Sequence, residues 1–152
     1  MSFPPPRVLL CVDDRPYLVQ LREILLGEHG YVVVGANSAS AAIAKLENCA
    51  VDAVLLEYKS EGMDAEAVAF QIKQRFPNQP IVLLSAYAEM PERVLWLIDE
   101  YVMKSETIEG LVQTIERAIR AREEDRKPCR GRVVPFNAEK GSVGESGGRS
   151  SK

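Results

Sequence analysis

The chain has 152 residues, 46% of them hydrophobic, and a formal net charge of −3. This length and composition fit one globular domain with a full core. The acidic balance argues against a nucleic-acid-binding domain, which would carry a basic stripe. The three cysteines, Cys11, Cys49 and Cys129, lack metal-binding spacing and are typical of reduced thiols in a cytoplasmic protein. The sequence shows neither a signal-peptide core nor an apolar run of membrane length, so we expect no membrane partner.

Five short apolar runs recur along the chain and predict five strands. They are Val8–Val12, Tyr31–Ala36, Ala53–Leu56, Ile81–Leu84 and Tyr101–Met103. Most of them lack polar–apolar alternation, which is typical of strands buried on both faces of a mainly parallel sheet.

Helical patterns follow each predicted strand. In the first helix, which begins near Pro16, the inward stripe is predicted to comprise Leu18, Leu21, Ile24 and Leu25. Ser38, Asp64 and Ser105 are predicted to cap the second, third and fifth helices. A short fourth helix is expected over about residues 91–99. This alternation predicts a doubly wound α/β domain with a five-stranded parallel sheet.

The two ends of the chain differ from the middle in composition. Residues 1–6 form a Pro-rich lead, and residues 126–152 form a Gly/Ser-rich tail that we expect to be disordered. The folded domain is therefore predicted over residues 7–125.

Polar side chains follow four of the predicted strands at their carboxyl ends. They are Asp13 and Asp14 after the first strand, Glu57 after the third, Ser85 after the fourth and Lys104 after the fifth. Ligands of open α/β sheets gather beyond these strand ends, so we expect the five side chains to share a pocket. Each has an ordinary explanation when taken alone, such as helix capping for Asp14. Their convergence from four strands favours a functional site.

The chemistry of this set indicates a metal-assisted phosphoryl site. Clustered carboxylates favour a hard cation such as Mg²⁺, here bound weakly, and such a cation neutralises phosphate charge. The Lys104 ammonium can contact a phosphoryl oxygen, and the Ser85 hydroxyl can donate to another. Alternatively, Lys59 or Lys104 takes the place of the cation.

These residues, in this order, resemble the response-regulator receiver family, the CheY-like switches of two-component signalling. The resemblance covers about residues 7–122 and rests on the stretches Val8–Asp14, Val51–Ala65, Ile81–Ala86 and Tyr101–Ser105. It implies a flavodoxin/CheY-like fold with strand order 2-1-3-4-5 and a place in a bacterial phosphorelay. It also implies a signalling role rather than an enzymatic one.

The resemblance implies roles for the acidic positions. Asp13 and Asp14 match the family's metal-binding pair, and the backbone carbonyl of Lys59 matches a further metal ligand. Glu57 matches the aspartate that ligates the metal and takes a phosphoryl group from a sensor-kinase histidine.

Three other positions match the family's switch and phosphate contacts. Ser85 matches the switch hydroxyl, Lys104 the family's lysine and Tyr101 the aromatic residue that reorients. We expect Glu57 to bias the domain toward an active-like state, in which Ser85 moves to its carboxylate and Tyr101 turns inward. In the competing arrangement, Lys104 pairs with Glu57 and locks one inert state.

Departures from the family pattern cluster around this pocket. Glu57 adds a methylene that moves the carboxylate by roughly 1–1.5 Å, and phosphoryl transfer is intolerant of such misplacement. Ser60, Glu61 and Ala65 replace residues usual in the family. Ser105 replaces a usual cis-proline, so we expect a trans bond there, because a cis bond would cost about 3–4 kcal/mol. We therefore predict a stand-alone pseudo-receiver that acts by protein–protein interaction, with phosphorylation at residue 57 lost or atypical.

Two other functions stay open as alternatives. One is a Mg²⁺-dependent response regulator that still accepts a phosphoryl group, and the other is a metal-dependent phosphatase. Such phosphatases generally use Asp-x-Asp, which turns two side chains to the same side of a strand, so the adjacent Asp13 and Asp14 fit poorly. A dinucleotide site is excluded because the sequence has no G-x-G-x-x-G after the first strand.

The partner surface is predicted on the fourth helix, the fifth strand and the fifth helix. Val94–Ile98 is an unbroken apolar run, and a helix cannot turn five consecutive side chains toward one core. Part of the run should stay exposed for a partner, unless it ends in a buried loop. We expect Arg93, Trp96 and Tyr101 to contact a sensor kinase, an effector or a second copy of the chain.

Overall fold

The computed structural model describes residues 5–58, 62–87, 89–104 and 106–126. Within these ranges strands and helices alternate strictly. In chain order they are β1 (Val8–Val12), α1 (Pro16–Gly27), β2 (Val32–Ala36), α2 (Ala39–Asn48), β3 (Ala53–Glu57), α3 (Ala65–Arg75), β4 (Ile81–Ser85), α4 (Glu92–Leu95), β5 (Glu100–Met103) and α5 (Ile108–Arg126). The predicted tail lies beyond the described residues, apart from Arg126.

The five strands form one parallel sheet in the order β2-β1-β3-β4-β5. Its central register pairs Val12 with Ala36 on one side and with Leu56 on the other. The expected fold class and strand order are therefore confirmed. No helix in the described ranges is long and apolar enough to cross a bilayer.

Both faces of the sheet are covered by helices, which explains the unbroken apolar runs. Leu10 and Leu56 pack into the core beneath α2 and α3, whereas Leu9 and Leu55 pack into the core beneath α1 and α5. All four side chains are fully buried. Burying one such leucine contributes about 1.5–3 kcal/mol, so the sheet is a rigid scaffold for the residues at its edge.

Helix caps agree with the sequence in two helices and differ in a third. Ser38 and Asp64 cap α2 and α3 as predicted, because each side chain accepts a hydrogen bond from the backbone N–H three residues later, at 3.1 and 3.3 Å. The prediction for α5 was wrong. Thr107 caps this helix through a 3.0 Å hydrogen bond from the Gly110 N–H, because a cap is the residue just before the first helical one. Ser105 lies outside the described residues.

Helix α1 packs by a different face from the one predicted. Val19 and Leu26 contact the core, and Arg22 lies on the same side of the helix. Val19 packs so closely on β2 that a Cβ at Gly35 would lie 2.8 Å from its Cγ1. The predicted inward stripe was wrong: Leu18 is partly buried, and the residues left exposed are Leu21, Ile24 and Leu25. Apolar residues occur on almost every side of this helix, so periodicity alone does not fix its orientation.

Helix α4 is shorter than predicted and ends four residues before Asp99. The Asp99 N–H donates to the Ile81 carbonyl at 2.9 Å, and the Asp99 carboxylate accepts from the Ile81 N–H at 2.8 Å. Lys73 Nζ lies 3.0 Å from the same carboxylate. These contacts draw the chain into β5 and end the helix early.

Candidate functional site

The carboxyl edge of the sheet brings the predicted polar residues together. Hydrogen bonds continue the strand ladder past the strand ends: the Asp13 N–H donates to the Ala36 carbonyl at 3.1 Å, and the Lys104 N–H donates to the Ser85 carbonyl at 2.7 Å. Glu57 is the last residue of β3. The backbone of the sheet therefore fixes the positions of the Cα atoms that carry these side chains.

Glu57 is fully buried and faces three cations. Its Oε1 accepts a hydrogen bond from Arg22 Nη2 at 2.9 Å. Its Oε2 lies 3.4 Å from Arg15 Nη2 and forms an ion pair with Lys104 Nζ. Within the described residues Oε2 accepts no hydrogen bond of good geometry, so charge alone holds it. A buried carboxylate is costly unless it is paired, and these cations supply the pairing.

Arg22 connects the two buried acidic positions of the pocket. Its Nη1 donates to Asp13 Oδ2 at 3.0 Å and to Cys11 Sγ at 3.4 Å, while its Nη2 donates to Glu57. The side chain is only 13% exposed. Burial opposes the charge of the guanidinium, but the neighbouring Cys11, Asp13 and Glu57 outweigh that effect and raise the pKa of Arg22. Arg22 is therefore a permanent cation.

Asp13 and Asp14 are also occupied by contacts within the chain. Asp13 Oδ1 accepts hydrogen bonds from the backbone N–H and the Nε of Arg15, at 3.0 and 3.1 Å. The hydrogen bond from its side chain to Asp13 raises the pKa of Arg15. Asp14 Oδ2 accepts a hydrogen bond from the Gly62 N–H, and Asp14 Oδ1 lies 3.9 Å from Arg15 Nε. Among the described residues, three carboxylates of the pocket therefore face three cations.

Arg15 and Arg22 were not predicted as site residues. Arg22 lies between Val19 and Leu26 at helical spacing, which places it on the buried face of α1. An arginine at such a position needs a buried partner, but the sequence does not single out this face, because apolar residues also occur on the other sides of α1. Arg15 directly follows Asp14 at a helix start, where a cation opposes the helix dipole.

The predicted switch residues are not drawn toward Glu57. Ser85 Oγ accepts from the Tyr87 N–H at 2.9 Å and donates to the Tyr87 carbonyl at 3.2 Å. Tyr101 is 38% exposed. The expected active-like arrangement is therefore wrong for this structure, and the competing pairing of Lys104 with Glu57 is observed. The reason is electrostatic, because three cations neutralise the carboxylate that was expected to attract the hydroxyl.

Three of the predicted metal ligands, Asp13, Asp14 and Glu57, are engaged by contacts within the chain. In the part of the chain that the structure describes, no three acidic, cysteine or histidine side chains are placed to hold a metal ion. Oxygen atoms of Asp13 and Glu57 face guanidinium groups instead. Lys59, whose carbonyl was the fourth predicted ligand, lies outside the described residues.

The predicted partner residues lie at the surface. Trp96 is 80% exposed and Leu95 is 43% exposed, which confirms that part of the apolar run is uncovered. Arg93 is also exposed, but its Nε lies 3.0 Å from both carboxylate oxygens of Glu66 in α3. Arg93 is therefore engaged within the chain, whereas Leu95 and Trp96 are uncovered.

Comparisons with known proteins agree with the observed fold. A family model described as response regulator receiver domain matches residues 9–116. The transcriptional regulatory protein GlrR of Escherichia coli K12 is 30% identical over 117 residues, which cover 75% of this chain and 26% of GlrR. The sensor protein GacS of Pseudomonas syringae pv. syringae is 34% identical over 118 residues, which cover 72% of this chain and 13% of GacS. The chain thus spans only a small part of these curated relatives.

A solved structure supports the similarity at the level of the fold. The response regulator TrrA of Thermotoga maritima, in complex with Mg²⁺ and BeF, gives a TM-score of 0.66 at 29% identity. The match covers 74% of this chain and 98% of TrrA. In this chain, Asp13, Asp14 and Glu57 offer the oxygen ligands that Mg²⁺ prefers. The ion must compete with Arg15 and Arg22 for these oxygens, so Mg²⁺ binding at this pocket is possible but weak.

Proposed function

Because this chain belongs to the response regulator receiver domain family, we propose that it carries a two-component signal by binding a protein partner, without stable phosphorylation at residue 57. Under this proposal it is a pseudo-receiver. The observation that carries the proposal is the complete burial of Glu57 among three cations.

The contacts of Glu57 oppose phosphoryl transfer to its carboxylate. An attacking oxygen must come within about 3–3.5 Å of the phosphorus atom in a defined direction. Oε1 is engaged by Arg22, and Oε2 is covered by Lys104 and Arg15. Phosphorylating Oε1 would displace Arg22 from this oxygen, and the acyl phosphate would put about −1.5 to −2 of charge where the carboxylate carries −1, so the pocket cations would no longer balance the acidic groups.

We propose that a protein partner binds at the edge of the sheet formed by β5. The exposed apolar side chains there are Leu95, Trp96, Tyr101 and Met103, and we call them the α4–β5 surface. An exposed tryptophan among other apolar side chains is typical of an interface anchor. A charged rim borders it, because Arg117 of α5 pairs with Glu100 of β5 at 3.0 and 3.1 Å. This combination suits a sensor kinase, an effector or a second copy of the chain.

The same contacts support a signalling role rather than an enzymatic one. A phosphatase would need a free aspartate nucleophile after the first strand, whereas Asp13 is tied to both Arg15 and Arg22. A cytoplasmic location is proposed because Cys11 and Cys49 are free thiols, which are typical of a reducing compartment.

A phosphoryl-transfer assay tests the proposal. The wild-type protein is incubated with acetyl phosphate and Mg²⁺, next to a receiver domain that is known to accept a phosphoryl group, and both are examined by intact mass and peptide mapping. We expect an adduct on the control protein and none on Glu57. An adduct mapped to Glu57 would refute the proposal and favour the phospho-accepting alternative.

The variant Glu57→Asp extends the assay. A shorter carboxylate restores the usual acceptor, but Arg22 and Arg15 still hold Asp13. We therefore expect this single change to give little or no adduct. A high yield from Glu57→Asp alone would show that the length of the side chain, rather than the surrounding cations, prevents acceptance.

A further inference from the structure

One guanidinium lies between the two buried carboxylates of the pocket. Arg22 reaches Asp13 Oδ2 at 3.0 Å with one nitrogen and Glu57 Oε1 at 2.9 Å with the other. We propose that Arg22 is the resident cation of this pocket. It neutralises both carboxylates from within the chain, so the pocket does not need Mg²⁺ to balance their charge, and it weakens a divalent-cation site whose affinity rises when the guanidinium is removed. This proposal does not rest on the proposed signalling function.

The chemistry of arginine suits this role. A guanidinium is planar, carries several N–H donors in a fixed fork and does not lose its proton in proteins. The surrounding groups raise the pKa of Arg22 further, so its charge is constant. A free ion must give up bound water and translational freedom to enter the pocket. Arg22 is already held in place by α1, whose neighbouring residues Val19 and Leu26 are anchored in the core.

Arg15 and Lys104 are weaker substitutes for a metal ion. Arg15 also contacts both carboxylates, but it lies 3.4 Å from Glu57 and its side chain is 32% exposed. Lys104 contacts Glu57 alone among the three pocket carboxylates and is 37% exposed. Arg22 is thus the most buried cation of the three, and it donates hydrogen bonds to both Asp13 and Glu57. Its removal should have the largest effect on metal affinity.

Removing the guanidinium leaves an excess of negative charge in the pocket and frees the volume that this group occupied. Asp13 Oδ2 and Glu57 Oε1 both lose a donor, and three carboxylates then face two cations. Methionine at position 22 keeps a flexible side chain of similar length and adds no charge. Mn²⁺ is a suitable probe because it takes the same hard oxygen ligands as Mg²⁺ and is detected directly.

Mn²⁺ titration followed by electron paramagnetic resonance of the free ion tests the proposal. The variant Arg22→Met is compared with wild type, with Arg15→Met in the same pocket, and with Arg75→Met. Arg75 is the matched control for lost charge, because it pairs with Glu47 at the surface between α2 and α3. We expect Arg22→Met to bind one Mn²⁺ at least about tenfold more tightly than wild type, a gain of about 1.4 kcal/mol. Arg15→Met should gain less, and Arg75→Met should match wild type.

The proposal is overturned if Arg22→Met binds Mn²⁺ no more tightly than Arg75→Met does. Arg22→Gln serves as a second variant if the methionine variant does not fold, because glutamine keeps donors but loses the charge. The wild-type protein gives an independent measurement. Its thermal unfolding midpoint should be the same in EDTA and in millimolar Mg²⁺, since a ligand that binds only the folded state would raise it. A clear rise with Mg²⁺ would show that Arg22 does not replace the metal in balancing the charge of the pocket.

Discussion

The pocket and the α4–β5 surface lie at neighbouring strand ends but differ in how their side chains are held. In the pocket, Glu57 is fully buried and each of its oxygens faces a cation. On the α4–β5 surface, Trp96 is 80% exposed. The difference teaches that a receiver fold can hold its pocket carboxylates with permanent charges while apolar side chains beside β5 stay exposed.

The two regions should also respond differently to mutation. Buried ion pairs depend on both partners, so removing one partner leaves an uncompensated charge in the interior. An exposed apolar side chain contributes little to folding and can contribute much to binding. Changes in the pocket should therefore affect the free energy of unfolding, and changes on the α4–β5 surface should affect partner affinity.

The largest effect on folding is expected from Arg22→Met. This change leaves Asp13 and Glu57 without their shared donor, although Arg15 and Lys104 remain nearby. We expect a loss of about 3 kcal/mol in the free energy of unfolding, at the lower end of the range for broken buried pairs. Urea denaturation measures it, with Arg75→Met as a control that should stay within about 0.5 kcal/mol of wild type. Equal free energies of unfolding for Arg22→Met and Arg75→Met would mean that the buried pairs of the pocket stabilise the fold no more than a surface ion pair does.

A smaller loss is expected from Glu57→Gln. The amide can still accept a hydrogen bond from Arg22, which keeps Asp13 as a charged partner, and Lys104 can turn to solvent. We expect a loss of about 1.5 kcal/mol, the lower end of the range for a hydrogen bond to a charged group. Amide chemical shifts should change around Arg22 and little at Ser85, which is tied to the backbone of Tyr87. A large shift at Ser85 would mean that the charge of Glu57 does govern the switch hydroxyl.

Truncation on the α4–β5 surface should leave the fold intact. For Trp96→Ala we expect a change within about 0.5 kcal/mol in the free energy of unfolding. Self-association or binding of a cognate kinase, measured by light scattering or calorimetry, should weaken at least about tenfold. Phe70→Ala is the matched control, because Phe70 is an exposed aromatic residue on α3. If both variants bind as wild type does, the contact surface lies elsewhere, and the exposed residues of α1 are the next to examine.

The smallest effect concerns the thiol beneath the pocket. Burial is the main cause that raises the pKa of Cys11, and the contact with Arg22 opposes it only in part. The reactive thiolate is therefore scarce at pH 8, and its fraction grows only as the pH approaches the raised pKa. Iodoacetamide labelling with peptide mapping should modify the exposed Cys49 and spare Cys11 in the folded protein. Rapid labelling of Cys11 would show that the pocket opens readily.

Much of the fold could be predicted from the sequence, because strand runs and cap residues act locally. The five strands, the caps at Ser38 and Asp64 and the convergence of Glu57 with Lys104 all follow from apolar patterning and parallel topology. The end of α4 could not be predicted, since a tertiary contact of Asp99 decides it.

The role of Arg22 was missed for a related reason. Patterning rules assign an arginine to the solvent side of a helix, and the apolar residues of α1 allow more than one orientation. The buried partner that reverses this assignment, Glu57, is 35 residues away in sequence. Its pairing with α1 is a tertiary contact, which the periodicity of the sequence cannot predict.

The central claim is that Arg22 and Glu57 act as one coupled unit, and a double-mutant cycle tests it most directly. Free energies of unfolding are measured in urea for wild type, Arg22→Met, Glu57→Gln and the double variant. The account predicts a coupling energy of about 1–1.5 kcal/mol, because the second change costs little once the first has broken the pair, so the coupling approaches the full cost of Glu57→Gln. If the losses in the two single variants add up to the loss in the double variant within about 0.5 kcal/mol, the two residues act independently and the claim is contradicted.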